Sequence, residues 1–234
     1  MLNKTLIVAG ASALLAASAD AAVVTRWNFN GASLGASFGT GSAMAIGGTS
    51  AAYTAGSAFD TAPGTNRSAR VANFSTLASQ SGRRGMQFSA DTTDHGFIGI
   101  GFAVAGHGRS SQWGQLQYST DGGATYATAG LAGNGRFRIN GDGTFKRVGF
   151  SLAFVDGASD NSNFRFRIVA TAHPTSGAFV GANGASMLAS AFWKLDNVVV
   201  TGTNINANNT ANPAPGAIAL LGVAGLVGVT RRRD

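Results

Sequence analysis

The chain has 234 residues and a formal charge of +7, with 34 glycines and no cysteine. Disulfides and thiolate metal sites are excluded, so packed apolar side chains must hold the fold together. The basic excess is partly terminal, because Lys4, Arg231, Arg232 and Arg233 are opposed there only by Asp20 and Asp234. The rest is scattered along the chain, which excludes the clustered basic stripe of a nucleic-acid binder.

In chain order, residues 1–21 read as an export signal. Lys4 is the basic start, Leu6 to Ala17 is the apolar stretch, and Ala19-Asp20-Ala21 has small residues where signal peptidase needs them. Cleavage is expected after Ala21, and the apolar stretch, expected as a signal helix, is too short for a comfortable membrane span.

The body, residues 22–201, alternates with period two. Val24 to Asn30 is the first expected strand, whereas Gly31 to Ser68 is rich in Gly, Ala, Ser and Thr and predicts loops with one or two edge strands. Met86 to Ala90 follows. In Phe97 to Val104, Ile98, Ile100, Phe102 and Val104 share one side, with Gly99, Gly101 and Ala103 opposite. Trp113 to Ser119, Lys146 to Phe154, Phe164 to Val169 and Phe192 to Thr201 complete the series, and Arg165 and Arg167 alternate with Phe164, Phe166 and Ile168. Gly, Asn, Asp and Ser clusters separate these segments, and helical periodicity is missing from the body. The expected fold is all-β, an antiparallel β-sandwich of the jelly-roll or lectin kind.

One turn has a motif. Ser119-Thr120-Asp121-Gly122-Gly123-Ala124-Thr125-Tyr126 resembles the Asp-box hairpin of sialidases and of many unrelated β-proteins. A single copy implies a structural role, with Asp121 accepting turn hydrogen bonds and Tyr118 and Tyr126 packing across the hairpin.

Catalytic chemistry is hard to assemble from this composition. The body aspartates sit mostly in Gly- or Asn-flanked turns, His107 and His173 read as loop residues, and zinc spacing is missing; Gly31 to Gly35 and Gly35 to Gly39 match Gly-x-Ser-x-Gly by letter, but no helical pattern follows them to make a nucleophile elbow. No catalytic residue or cofactor is assigned. The enzyme alternative, a secreted carbohydrate-active or esterase-type hydrolase, would have to use Asp94 and His95 beside Asp91. A structural calcium has one place in the sequence, Asp196 with Asn28 or Asn30, whose oxygens are of suitable hardness. A ligand face is legible instead: Trp113, Gln115 and Gln117 share one side of their strand, and Arg165 and Arg167 one side of theirs. An aromatic plate with amide and guanidinium donors suits the rings, hydroxyls and carboxylates of an extracellular polysaccharide.

Residues 202–212 form an Asn-rich linker, and residues 213–234 carry Pro213-Ala214-Pro215-Gly216, an uncharged apolar run from Ala217 to Val229, and Arg231, Arg232 and Arg233. As a helix that run is roughly 20 Å long, short of the roughly 30 Å hydrocarbon core of a bilayer, and the arginines hold its end on the cytoplasmic side. The tail resembles the C-terminal sorting signal of the PEP-CTERM family of exported bacterial proteins, with Ala214 in place of the middle Glu. The Trp27-Asn28-Phe29-Asn30, Tyr118-to-Gly123, Asn161-to-Arg167 and Leu195-to-Val200 segments are similar to the jelly-roll bodies common in that family. The resemblance implies handling by an exosortase-like enzyme, transient inner-membrane anchoring through a short hydrophobic helix, and delivery to the cell surface, outer envelope or extracellular matrix. It implies a non-catalytic protein associated with exopolysaccharide. A structural or adhesive subunit without a small ligand is the remaining alternative.

Overall fold

The computed structural model describes residues 21–60 and 64–206. Its strands are β1 (Ala22–Trp27), β2 (Gly41–Ile46), β3 (Ser50–Ala55), β4 (Arg67–Ala72), β5 (Gly85–Ala90), β6 (His95–Gly106), β7 (Trp113–Ser119), β8 (Arg136–Arg138), β9 (Lys146–Ser151), β10 (Arg165–Thr171) and β11 (Trp193–Asn204). Among the described residues the only helical elements are two 3-10 turns, Ala78–Gln80 and Ala132–Gly135. The expected signal helix, most of the linker and the whole sorting tail lie outside the described residues; Ala21 is exposed at their start.

The strands form two antiparallel sheets. The first has the order β3-β4-β11-β6-β9 with β1 also on β11, and the second has the order β2-β5-β10-β7-β8. Spatial neighbours are mostly distant in sequence, the crossed-over order of a jelly-roll type of sandwich rather than a meander. The all-β sandwich read from alternation is the observed fold. The weak region contains β2 and β3, the edges of the second and first sheets respectively, and runs into the start of β4.

Alternation decides which faces meet. Ile98, Ile100, Phe102 and Val104 of β6 turn inward to oppose Leu116 and Tyr118 of β7 and Phe166 and Ile168 of β10, all within one buried cluster. Two aromatic groups tie the sheets together. Trp27 of β1 meets Phe88 and Phe166 edge-on at 5.1 and 6.0 Å, and those two rings stack at 4.9 Å. Phe137 of β8 meets Phe102 at 5.2 Å and Trp193 at 6.3 Å. Each fully buried aromatic of this size contributes on the order of 2 kcal/mol of transfer free energy. Phe137 has room only because β7 has glycine opposite it: a Cβ at Gly114 would lie 2.3 Å from Phe137 Cζ.

β11 organises the first sheet. One of its edges pairs with β6, while the other is divided between β4, at Trp193 to Leu195, and β1, at Val198 to Gly202. At the division β11 bulges between Asp196 and Val199, with Asn197 at φ 45°. The strand also runs further than expected. Gly202, Thr203 and Asn204 belong to β11 and not to the linker, because Gly202 pairs with Ala22, and Thr203 and Asn204 pair with Gly96 and His95. Backbone pairing needs no apolar side chain, and Thr203 adds a side-chain bond to Gly96 O at 3.3 Å. At the other end, the Lys146-to-Phe154 strand stops at Ser151, where Val155 N bonds back to Leu152 O in a turn that leaves Phe154 exposed.

Candidate functional site

The outer face of the second sheet collects the polar strand residues. β7 and β10 are neighbours, with Arg167 opposite Gln117, Arg165 opposite Ser119, and Thr171 opposite Trp113. β5 flanks β10 on its other side, with Gln87 opposite Arg167 and Ser89 opposite Arg165. Inward Leu116, Tyr118, Phe166 and Ile168 force the intervening residues outward, so Trp113, Gln115, Gln117, Arg165 and Arg167 share one face, each partly buried. All five residues expected on a ligand face are brought together there.

A chain of polar contacts holds this face. Arg167 Nε donates to Gln117 Oε1, Gln117 Nε2 donates to Gln115 Oε1 at 2.9 Å, and Gln115 Nε2 donates to Asn134 O at 2.9 Å. Two residues that the sequence reading did not assign join it. Tyr126 donates its hydroxyl to Gln87 Oε1 at 2.6 Å, and the Arg167 guanidinium lies 3.9 Å from the Tyr126 ring centroid. Burial lowers the Arg167 pKa from its ordinary value and Arg83 lowers it further, while Tyr126 opposes the change. Burial also raises the Tyr126 phenol, against the pull of Arg167 and Arg165. Both groups keep their usual neutral-pH forms, a cation on a phenol ring. Arg165 packs beside the hairpin turn, close enough that a Cβ at Gly123 would sit 3.2 Å from its Cδ. Trp113 ends the face some four residues, or about 13 Å, along β7 from Gln117. The His173 ring lies nearly perpendicular to the Trp113 ring, with centroids 5.9 Å apart.

The Asp-box positions Tyr126. Asp121 accepts the Thr125 N–H at 3.0 Å and its hydroxyl at 2.5 Å, and Ser119 Oγ donates to Asp121 Oδ1 at 2.7 Å. These bonds hold the exposed Asp121 carboxyl well below the usual carboxylate range, Thr125 contributing most. Gly123 N closes onto Ser119 Oγ at 2.8 Å, with Gly122 and Gly123 at positive φ. The two tyrosines do not pack against each other across the hairpin. Tyr118 pairs with Ala127, so Tyr126, one residue earlier, faces the opposite way: Tyr118 enters the core and Tyr126 reaches the outer face.

The acid-and-imidazole cluster is a turn. His95 Nδ1 meets Thr93 O at 2.7 Å rather than a carboxylate, and Asp94, at φ 63°, accepts Asn206 Nδ2 at 2.7 Å. Asp91 caps Thr93 N at 2.9 Å. This turn fastens the start of β6 to the end of β11, and its imidazole is engaged with a backbone carbonyl. His107 and His173 accept backbone N–H groups of their own loops, at 3.2 Å from Arg109 and 3.2 Å from Thr175.

Asp196 lies fully buried at the bulge, where the loop after β3 crosses the first sheet. Its two oxygens accept Ser57 N at 2.6 Å and Asn197 N at 2.8 Å. Asn30 accepts Arg67 N at 2.7 Å and donates to Asp60 Oδ2 at 2.6 Å, and Asn28 Oδ1 accepts Asn30 N at 3.3 Å. The oxygens considered for calcium therefore meet N–H donors and close the seam between β1 and β4, an arrangement that does not fit a cation. Among the described residues no group of three or more His, Cys, Asp or Glu could hold a metal ion.

No family model matches the chain, and no curated protein matches it. Solved structures similar to it include the CBM22-1-CBM22-2 tandem domain of Paenibacillus barcinonensis Xyn10C, at TM-score 0.46 and 14% identity over 86% of this chain and 49% of that one. The carbohydrate-binding module CBM6cm-2 of Cellvibrio mixtus lichenase 5A, in complex with cellotriose, matches at TM-score 0.36 and 14% identity over 78% and 99%. The CBM22-1-GH10 modules of Clostridium thermocellum Xyn10B, complexed with xylohexaose, match at 0.43 and 15% over 79% and 29%. The chain thus spans about half of the first structure's length and less than a third of the third's. Identity this low leaves function to be argued from the chain's own faces.

Proposed function

We propose that this chain is an exported, non-catalytic polysaccharide-binding protein of the cell surface or extracellular matrix, and that the outer face of the second sheet is its binding surface. The observation that carries the reading is the assembly of Trp113, Gln115, Gln117, Arg165 and Arg167 on adjacent strands, with Tyr126 and Gln87 completing the row. Sugar recognition needs aromatic area for the apolar face of a ring and fixed donors and acceptors for its hydroxyls. The contacts of Gln117, Gln115 and Arg167 with one another pre-orient those donors, so little side-chain freedom is left to lose on binding. Arg165 makes no side-chain hydrogen bond among the described residues and offers its guanidinium directly.

The test is retention of the protein on extracellular polysaccharide from its own cells. Trp113→Ala and Arg165→Ala each reduce retention severalfold while leaving the melting temperature within a few degrees. Full retention by both variants removes this face as the site and favours a structural subunit without a sugar ligand.

Delivery belongs to the same proposal. The tail from Pro213 to Arg233 supports arrest at the inner membrane and cleavage by an exosortase-like enzyme, after signal peptidase has cut at Ala21. Mass spectrometry of protein recovered from the native surface is expected to find a C-terminus between Pro213 and Gly216. An intact Arg231-Arg232-Arg233 end would leave a plain anchor.

A further inference from the structure

We propose a second ligand site on the opposite side of the sandwich, a groove in the outer face of the first sheet that takes a carboxylate-bearing sugar residue. The choice of a sugar rests on the polysaccharide reading above, whereas the groove and its charge stand on their own geometry.

Register builds the groove. Arg26 of β1 lies opposite Val199 of β11, Val199 opposite Gly101 of β6, and Gly101 opposite Gly149 of β9. In the next register Asp196 lies opposite Ala103, and Ala103 opposite Arg147. A floor of Gly101, Ala103 and Val199 is therefore bounded by Arg26 on one side and Arg147 on the other, and it encloses about 330 Å³. Phe59, carried across the sheet by the loop that caps Asp196, walls the Arg147 side, with the guanidinium 4.4 Å from its ring centroid.

Three features mark this groove as more than a bare sheet surface. Both guanidiniums are exposed and neither pairs with a carboxylate among the described residues, because Asp196 and Asp60 are engaged with Ser57, Asn197 and Asn30. The floor is kept low by its small residues: a Cβ at Gly101 would press on Val199 Cγ1 at 3.3 Å, whereas one at neighbouring Gly149 would meet only Ile100 O, at 3.8 Å. Asn197 lines the groove at the bulge, and its side-chain nitrogen is shielded from water without an acceptor. Two unpaired cations across a flat apolar floor complement an anion with a flat apolar body. Guanidinium forks match a carboxylate, and the C–H face of a uronate ring can lie on glycine and valine. Arg147 is already stacked on Phe59, which fixes its direction before the ligand arrives.

The experiment titrates the 15N-labelled full chain with a trimer of galacturonate and, in parallel, with the neutral trimer of galactose. The expected result is saturable shifts at Gly101, Val199 and the Asn197 side-chain amide with the acidic trimer only, weakening as salt rises. Arg26→Gln and Arg147→Gln, both at exposed positions, each weaken binding by about tenfold, the scale of one lost charge-assisted pair. Trp113→Ala leaves the trimer affinity unchanged. Absence of shifts in the groove, or an affinity in both glutamine variants equal to that of the unsubstituted chain, overturns the inference. Loss of polysaccharide retention in Trp113→Ala with no galacturonate response sinks this site and spares the other face; groove binding with undiminished retention in Trp113→Ala and Arg165→Ala does the reverse.

Discussion

Two aspartates answer to pH in opposite senses. Asp121 sits at the surface with Thr125 and Ser119 donating to it, and those bonds favour its charged form. A carboxyl whose folded pKa is depressed contributes stability that is present above its unfolded value and is lost as pH falls through the folded one. Asp196 is the reverse case. Burial raises its pKa above the ordinary 3.8, and the N–H groups of Ser57 and Asn197 only partly offset that. Its contribution is full below the unfolded value and declines as pH rises through the folded one. Asn at this position keeps the shape and one acceptor but cannot titrate. The stability of the native protein relative to Asp196→Asn should therefore fall as pH rises above the ordinary 3.8. Melting temperatures of the two proteins across that range decide the matter, and a constant gap would remove the argument.

At the scale of elements, the joint between β7 and β8 depends on one missing side chain. Phe137 occupies the space that a Cβ at Gly114 would fill, and it is the ring through which β8 reaches Phe102 and Trp193 of the first sheet. Gly114→Val should cost about 1–3 kcal/mol, the usual penalty for overpacking a filled core, and should displace β8 before the central strands. Chemical denaturation measures the cost, and faster amide exchange confined to residues near Phe137 would locate it. β8 was also among the strands hardest to read in the sequence. Arg136-Phe137-Arg138 alternates just as Phe164 to Arg167 does, but three residues are too few to separate a strand from a loop. Gly41–Ile46 and Ser50–Ala55 are the edge strands expected in the weak region, but their bounds are not legible: they bury little, so Ala, Ser and Thr suffice and hydrophobic periodicity stays faint. The long central strands were legible because each has one dry side. That same alternation puts the five residues of the proposed face outward, although it does not say that β7 and β10 are neighbours. The Asp-box signals a hairpin without fixing its register, so the sequence alone sets Tyr126 against Tyr118, and a shift of one residue changes the face. The groove of the first sheet is less legible still, since it needs Phe59 from a loop and two arginines from strands far apart in the sequence, β1 and β9.

For the whole molecule, the order of synthesis and the order of packing run against each other. Among the described strands β11 is the last to be made, yet it lies inside the first sheet, with β6 along one edge and both β4 and β1 on the other. It carries Trp193, Leu195, Val198 and Val200 into the core, all fully buried. Until residues 193–204 are available, β1 and β4 have lost the shared partner that places them, and Trp27 cannot be held against Phe88 and Phe166. A chain shortened to end at Asn206 keeps every described strand, and it should melt cooperatively within a few degrees of the full chain. A chain ending at Phe192 loses β11 and should show no cooperative transition, because the remaining strands of the first sheet form two unconnected pairs, β3 with β4 and β6 with β9, and an isolated β1. Circular dichroism melts of the two truncations test this directly. Because Ala22 pairs with Gly202, the start of β1 and the end of β11 leave the sandwich side by side. A tether beyond residue 206 would then hold the domain by that corner, with both proposed sugar faces standing free on either side of it. If the shorter truncation still melted cooperatively, β11 would be an addition to an already folded body, and the dependence of the sandwich on its last strand would be wrong.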